Sequence, residues 1–296
     1  MMVQATLNVN GLISDEKEAV VSVLDHGFLF GEGVYETLRT YNHQPFLLDR
    51  HLKRLNQSAE MIGLSVPLTN KEVAFRISET MDVSQISEER YIRLLLTRGV
   101  GDLSYDPSVC RKPSFIIIVK PHEETPQELL AKGISIILSS VKRNHPEAIN
   151  PRIKSNNLLN NALAMQEAIK KNADEALMRN YRGEISECAQ SNFFLVSKNE
   201  VLTASLDSGL LQGVTRDFVL EIASEIGVTA RETTLLDEDL SAADEMFITS
   251  TTREILPVTI INNKQVGSGR PGPLTLELRK EFYKRVSVLT SKAVDA

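Results

Sequence analysis

The sequence lacks a long apolar run. Stretches such as FIIIV at 115 to 119 fall far short of the roughly 20 residues a membrane-spanning helix needs, so no membrane contact is expected. The opening MMVQATLNVNGLISDEKE has neither the basic start nor the apolar stretch of a secretory leader. Cysteine is scarce as well. Cys110 and Cys188 stand in unrelated contexts, which argues against a disulfide framework or a metal site and for a reduced, cytoplasmic setting. There is no basic excess: 33 Lys and Arg against 39 Asp and Glu give a net charge of -6, without a positive cluster, so nucleic acid is not an expected partner. GxSxG, HExxH and CxxC are absent, and the five histidines (His26, His43, His51, His122, His145) are scattered. GEG at 31 to 33 leads into a strand-like VYETLRTY and lacks the later glycine and the helix of a dinucleotide fingerprint.

What is present is an ordinary soluble composition, 42% hydrophobic and 24% charged over 296 residues, enough for two cores. The N-terminal part reads as strands in ATLNVNG, EAVVSVL, GVYETLRTY and FLL, with a turn at NHQP. Two helices follow. In DRHLKRLNQSAEMIG, Leu52, Leu55, Ala59 and Ile62 share one face and Gly63 is the C-cap; NKEVAFRISETM is the second. Strands YIRLLLTRG and SFIIIVK come next. The polar, proline-bearing stretch at 121–128 reads as a linker between a small N-terminal domain, 1–120, and a larger cofactor-binding domain, 129–296. Beyond it the pattern predicts strands in ISIILSSVK and DEALMRN, a hairpin NFFLVSKNEVLT, a helix after Gly213, strands EMFITST and LPVTIINN, and a last helix in PLTLELRKEFYKRVSVL. The class is α+β with mixed strands.

Four separated segments carry chemistry. In NPRIKSNNLLNNALAM the apolar positions from Leu158 onward fall at helical spacing, so Ser155 or Asn156 is the expected N-cap and Lys154 sits at the disfavoured, positive end of a helix. That placement suggests an amine made less basic. In RGEISECAQSNFFLV, Glu187 falls near a strand-turn junction, where a carboxylate can serve a site or simply be exposed. In LLQGVTRDFVL, Gly213 permits close backbone approach, and Val214 and Thr215 open a helix whose N–H groups can bind phosphate. FITSTTREILPV is a strand ending in the hydroxyls of Ser250, Thr251 and Thr252, suited to an anion or to a capping turn. Together, an amine nucleophile, a lone carboxylate and two phosphate-type cradles are what pyridoxal phosphate requires.

On these segments, and from DHGFLFGEGVYETLR through STTREILPV, the sequence resembles the class IV, or fold-type IV, aminotransferases: branched-chain aminotransferases, D-amino acid aminotransferases and aminodeoxychorismate lyases. The resemblance implies a fold-type IV PLP enzyme with a small and a large α/β domain, and a homodimer. It implies that Lys154 is the Schiff-base lysine and proton shuttle and that Glu187 pairs with the pyridine nitrogen. Arg54 of HLKRL would hold the phosphate with Gly213, Val214, Thr215, Ser250 and Thr251. On the substrate side it points to Phe30, Tyr35, Thr37, Tyr91, Arg93, Leu103 and Thr252.

Within the family the substrate residues point in more than one direction. Tyr91 and Arg93 stand where branched-chain enzymes carry a Tyr-x-Arg pair that receives the substrate carboxylate. Thr37, however, replaces their usual glycine, and Leu159 stands where many have tyrosine. Thr37 and ECAQSN look more like the lyases, which more often carry lysine at the position of Arg93. The D-amino acid enzymes match IKSNNLLNNALAMQEA but use an Arg-x-His pair that VGDLSYDP does not offer. The expectation is therefore a transaminase moving an amino group from a branched-chain-like L-amino acid to 2-oxoglutarate or a similar keto acid. Aminodeoxychorismate lyase is the alternative, with D-amino acid or amine transamination behind it. The loop GDLSYDP, with Leu103 and Tyr105, is the candidate to reach a partner subunit's pocket.

Overall fold

The computed structural model describes residues 5–291, and period-two sequence patterns set its first sheet. In chain order the N-terminal elements are β1 (Thr6–Val9), β2 (Leu12–Asp15), a single helical turn α1 (His26–Leu29), β3 (Gly33–Tyr41), β4 (Gln44–Pro45), α2 (Leu48–Met61), α3 (Asn70–Val83), β5 (Arg90–Thr97) and β6 (Ser114–Pro121). The strands form an antiparallel sheet in the order β2-β1-β6-β5-β3-β4. Along β3 and β5, Val34, Leu38, Ile92, Leu94 and Leu96 turn to one face and pack with Leu52, Leu55 and Ala59 of α2 and Val73 and Ile77 of α3. Each of these valine, leucine and isoleucine side chains contributes about 1.5–3 kcal/mol by leaving water. The opposite face keeps Tyr35, Thr37, Tyr91 and Arg93 half-buried. Helix α3 begins with a capping box: Thr69 Oγ1 accepts from Glu72 N–H, and Glu72 Oε2 accepts from Thr69 N–H.

The second group comprises α4 (Gln127–Lys132), β7 (Ile134–Leu138), α5 (Leu159–Lys170), β8 (Glu175–Arg179), β9 (Ile185–Cys188), β10 (Asn192–Ser197), β11 (Glu200–Ala204), α6 (Val214–Glu225), β12 (Ala230–Thr233), α7 (Asp237–Ser241), β13 (Glu245–Ser250), β14 (Glu254–Ile261), β15 (Lys264–Gln265) and α8 (Pro273–Ser291). Their nine-stranded sheet runs β12-β11-β10-β13-β14-β7-β8-β9, with β15 paired to β14. It is mixed: β11/β12, β14/β7 and β7/β8 are parallel. The continuous run Phe193, Phe194, Leu195 is fully buried because both faces of β10 are covered. Helices α6 and α8 lie on β13 and β14 and meet through the rings of Phe218 and Phe282. Four hairpins share one device, a two-residue turn with both residues at positive φ: Asn10-Gly11, Asn42-His43, Lys198-Asn199 and Asn262-Asn263.

The chain divides into two compact units, one of residues up to Glu123 together with Ile153–Asn157, the other of Glu124–Arg152 with Leu158 onward. The segment that carries Lys154 thus belongs to the first unit.

Three expectations are corrected. EAVVSVL is not a strand: Val20, Val21, Val23 and Leu24 are exposed and pair with no sheet. FLL is not one either, because Phe46 is buried in the core, Leu47 takes the left-handed conformation (φ 51°) and Leu48 already begins α2. Nor does Ser155 or Asn156 cap α5, which starts at Leu159 after Leu158 with no side-chain cap. Their backbone is engaged elsewhere. Ser155 bridges Val34, Asn156 N–H donates to Gly33 O, and Tyr35 N–H donates to Lys154 O. Lys154 is therefore held as an extra extended segment along β3 and lies outside the first turn of α5. The helix-dipole argument for its basicity falls with that placement.

Candidate active site

Lys154 is anchored through its backbone. Besides the carbonyl bond from Tyr35, its own N–H donates to Ser58 Oγ on α2 at 3.1 Å. Gly33 makes this docking possible, since a Cβ there would come within 2.5 Å of Asn156 Nδ2 and 2.7 Å of Leu96 O. The amine lies over the Tyr35 ring, Nζ 4.4 Å from its centroid, and the Arg93 guanidinium lies 4.2 Å from the same centroid. One tyrosine thereby fixes two cations by cation–π attraction. Thr37 stands directly opposite Arg93 in the β3/β5 register, and Arg93 Nη1 donates to Tyr91 Oη at 3.4 Å. Lys154, Tyr35, Thr37, Tyr91 and Arg93 are thus brought together.

On the buried face of β3, in a row of aliphatic side chains, stands Glu36, with no exposure. Arg54 donates to it from Nε (2.7 Å) and Nη2 (2.8 Å), and His51 Nδ1 donates at 2.8 Å. Burial alone would raise the carboxyl; the Arg54 charge and the Arg54 and His51 hydrogen bonds outweigh it and hold Glu36 well below the usual carboxylate range. Burial pushes the His51 imidazole down, against the pull of Glu36. Arg54 thus occupies a fixed orientation.

Phe30 and Leu103 lie in loops. Phe30 packs against His26 and Tyr105, and Leu103 is exposed. Those loops are tied down: His26 Nε2 is 2.9 Å from Asp102 O and its Nδ1 is 3.2 Å from Glu32, which also accepts from Arg98.

The second unit carries the remaining candidates. Glu187 lies inside β9, buried, so the exposed-turn alternative is excluded. Its Oε1 accepts from Arg143 Nε at 2.8 Å, and its Oε2 accepts from Asn192 Nδ2 and from Leu211 N–H, both at 3.2 Å. Asn192 Nδ2 also donates to Leu211 O, which links Glu187 to the segment entering α6. Gly213 is the N-cap of α6, with no side-chain cap, and a Cβ there would meet Asn192 Oδ1 at 1.9 Å. Val214 and Thr215 form the first, buried turn. Ser250 ends β13 next to β10, accepts from Arg253 N–H, and is followed by the half-buried Thr251 and Thr252. Behind them Arg253 donates to buried Glu175, whose carboxyl burial raises. Burial, then the neighbouring Glu175 and Glu187, push the Cys188 thiol up, so it offers no thiolate nucleophile.

The family description "amino-transferase class IV" matches residues 33–261. A Methanocaldococcus jannaschii protein with a provisional assignment as a branched-chain-amino-acid aminotransferase is 40% identical over 279 residues, covering 93% of this chain and 94% of that protein. The D-alanine aminotransferase of Bacillus licheniformis is 33% identical over 285 residues, 96% of this chain and 98% of its own. The crystal structure of the Escherichia coli branched-chain amino acid aminotransferase superposes with a TM-score of 0.91 at 30% identity, over 95% of this chain and 94% of that one. The chain belongs to the class IV aminotransferases.

The cofactor of this aminotransferase is pyridoxal 5′-phosphate. Each unit offers residues of the kind it requires: the first an anchored amine, the second a buried carboxylate and an α6 N-terminus without a side-chain cap, led by a glycine. Among the described residues no His, Cys, Asp and Glu cluster could hold a metal, and no helix is long and apolar enough to cross a membrane. Sequence reasoning missed Glu36, His51, Ser58, Arg143 and Asn192. A signal existed for the first three. The alternation Val34, Glu36, Leu38 puts a charge on an apolar face, and His51, Arg54 and Ser58 repeat at helical spacing.

Proposed function

We propose that the chain is a transaminase moving the amino group of an amino acid, with branched-chain-like L-donors favoured, to 2-oxoglutarate or a similar keto acid. The observation that carries this reading is the stack of Lys154 and Arg93 on Tyr35, with Thr37 opposite Arg93: a reactive amine and a carboxylate-binding guanidinium on one sheet face. In this reading Lys154 holds the cofactor covalently and moves the proton at the substrate α-carbon. Glu187 holds a proton on the ring nitrogen. Arg54, Gly213, Val214, Thr215, Ser250 and Thr251 bind the phosphate. Arg93 and Tyr91 receive the substrate carboxylate, while Phe30, Tyr35, Thr37, Leu103 and Thr252 shape the pocket. The bound cofactor supplies the electron sink that α-carbon deprotonation needs.

The reading includes a homodimer. Support comes from apolar side chains that the first unit leaves exposed, Val20, Val21, Val23, Leu24, Phe28 and Leu103, together with Tyr105. The loop 100–106 offers no Arg-x-His pair, which weighs against D-donors. The test is a panel of L- and D-donors with 2-oxoglutarate or pyruvate, beside aminodeoxychorismate without acceptor. Ping-pong transfer from L-leucine or L-valine is expected. Pyruvate release from aminodeoxychorismate without transfer from any amino acid would make the protein a lyase. Borohydride reduction should fix the cofactor to Lys154; an adduct mapped by mass spectrometry to Lys142 or Lys170 would refute that role.

A further inference from the structure

We propose that Arg143 is a positioning residue for the reaction: by weakening Glu187 as a base, it keeps the shared proton on the ring nitrogen of the bound cofactor. The inference rests on the reading that Glu187 faces that nitrogen.

The geometry places a full charge where it can act. Arg143 Nε lies 2.8 Å from Glu187 Oε1, and the two side chains are 9% and 6% exposed, so water screens the pair little. Asn192 Nδ2 and Leu211 N–H also donate to Glu187 but are neutral, so Arg143 brings a formal charge that they do not. Arg143 is also held through both its backbone and its guanidinium. Arg143 N–H donates to Arg179 O at 2.8 Å, its Nη1 donates to Asn160 Oδ1 at 3.2 Å, and Asn160 Nδ2 returns a bond to Lys142 O at 2.8 Å. Strand β8 and helix α5 therefore both fix its position. Glu175, also buried in this unit, has its own arginine, Arg253.

A proton shared by a carboxylate and a pyridine nitrogen divides according to their relative basicity. A cation against the carboxylate stabilises the anion and so moves the proton toward nitrogen. Arginine suits this role because it does not lose its charge at any working pH. Without it, Glu187 would retain more of the proton, the ring would accept electrons less well, and α-carbon deprotonation would slow. Substrate binding, which does not depend on that proton, would change less.

The test uses holoenzyme loaded with pyridoxal phosphate carrying 15N in the ring, with wild type compared with Arg143→Met, Arg143→Lys and Glu187→Gln. In Arg143→Met the 15N resonance should move toward that of an unprotonated pyridine, and kcat should fall by roughly tenfold or more with a smaller change in KM. Arg143→Lys should restore most of both. A wild-type resonance and kcat in Arg143→Met overturn the proposal. An unmoved resonance in Glu187→Gln shows instead that Glu187 does not face the nitrogen, and both readings fall. If Arg143→Met does not fold, Asn160→Ala carries the test: loosening the far edge of the guanidinium should move the resonance in the same direction by less, and no movement overturns the proposal.

Discussion

Glu36 with Arg54 in the first unit and Glu187 with Arg143 in the second are both carboxylates gripped by a guanidinium away from water. They differ in which partner faces the chemistry. In the first pair the carboxylate is the fixed point, sealed under β3 and held by His51 and Arg54 from one face of α2, and the arginine is the member proposed to meet the cofactor phosphate. In the second the arginine is the fixed point, tied to β8 and α5, and the carboxylate is the member proposed to meet the ring. Burying an ion pair seldom adds much stability over a well-packed apolar alternative, whereas breaking one is costly. Such pairs suit sites that need a charge held in one orientation, and the fixed partner supplies that orientation.

If that division is right, removing the two carboxylates should have unlike consequences. Glu36→Ala leaves Arg54 and His51 facing a void and should cost about 3–5 kcal/mol of stability by chemical denaturation. An unchanged midpoint would break the comparison. Acid should reveal the same pair. Because Glu36 is depressed in the folded state from an ordinary value of 4.5, its contribution is complete above that pH and drains away as pH falls below it. His51, depressed from 6.5, acts in the same direction but starts to do so nearer neutrality. The Glu36→Ala protein should therefore have a flatter acid limb in its stability profile.

Glu187→Gln should do the reverse, keeping the fold while lowering kcat by roughly 100-fold or more, since an amide cannot hold the ring proton. Wild-type α-carbon proton exchange in this variant would remove Glu187 from its role. Smaller again are the phosphate contacts. Arg54→Ala should raise the cofactor dissociation constant by more than Thr251→Ala, in line with about 1.5–3 kcal/mol for a charge-assisted bond and about 0.5–1.5 for a neutral one. Equal effects, measured by equilibrium dialysis, would mean that Arg54 does not carry the phosphate charge.

Much of this architecture was legible because the burial that folds it leaves a period in the sequence. Helices α2, α3, α6 and α8 and the long strands follow from apolar spacing. EAVVSVL misled for a physical reason: its valines have the composition of a strand but stay exposed, and alternation cannot tell a buried face from a surface left open. Strands β9 and β12 and the short helix α7 escaped because four or five residues carry too little period to read. In the site, Lys154 and Glu187 were legible as chemical types in a recognisable order. Their supports were not, since Arg143 meets Glu187 across 44 positions and Ser58 meets Lys154 across 96. The dipole argument for Lys154 failed because backbone pairing with β3 outcompeted capping for the same residues.

The smallest predicted effect concerns specificity and bears on Thr37. Its place opposite Arg93 in the strand register, on the half-buried face of β3, puts a hydroxyl and a methyl group on the same sheet face as the arginine proposed to receive the substrate carboxylate. Glycine there would remove both while leaving the strand pairing intact. The pocket should widen, and the larger branched donor should gain on the smaller ones. Gains from one or two methylene-sized spaces are modest, about 1–3 kcal/mol at most. Thr37→Gly should therefore raise kcat/KM for L-leucine relative to L-alanine by roughly tenfold, while Arg93→Ala should raise KM for donor and 2-oxoglutarate alike. Glycine inside a strand also costs roughly 0.5–1 kcal/mol of stability, so the comparison must be a ratio of two donors on the same protein. An unchanged ratio would mean that Thr37 lies outside the pocket and that the Tyr35 stack alone shapes it.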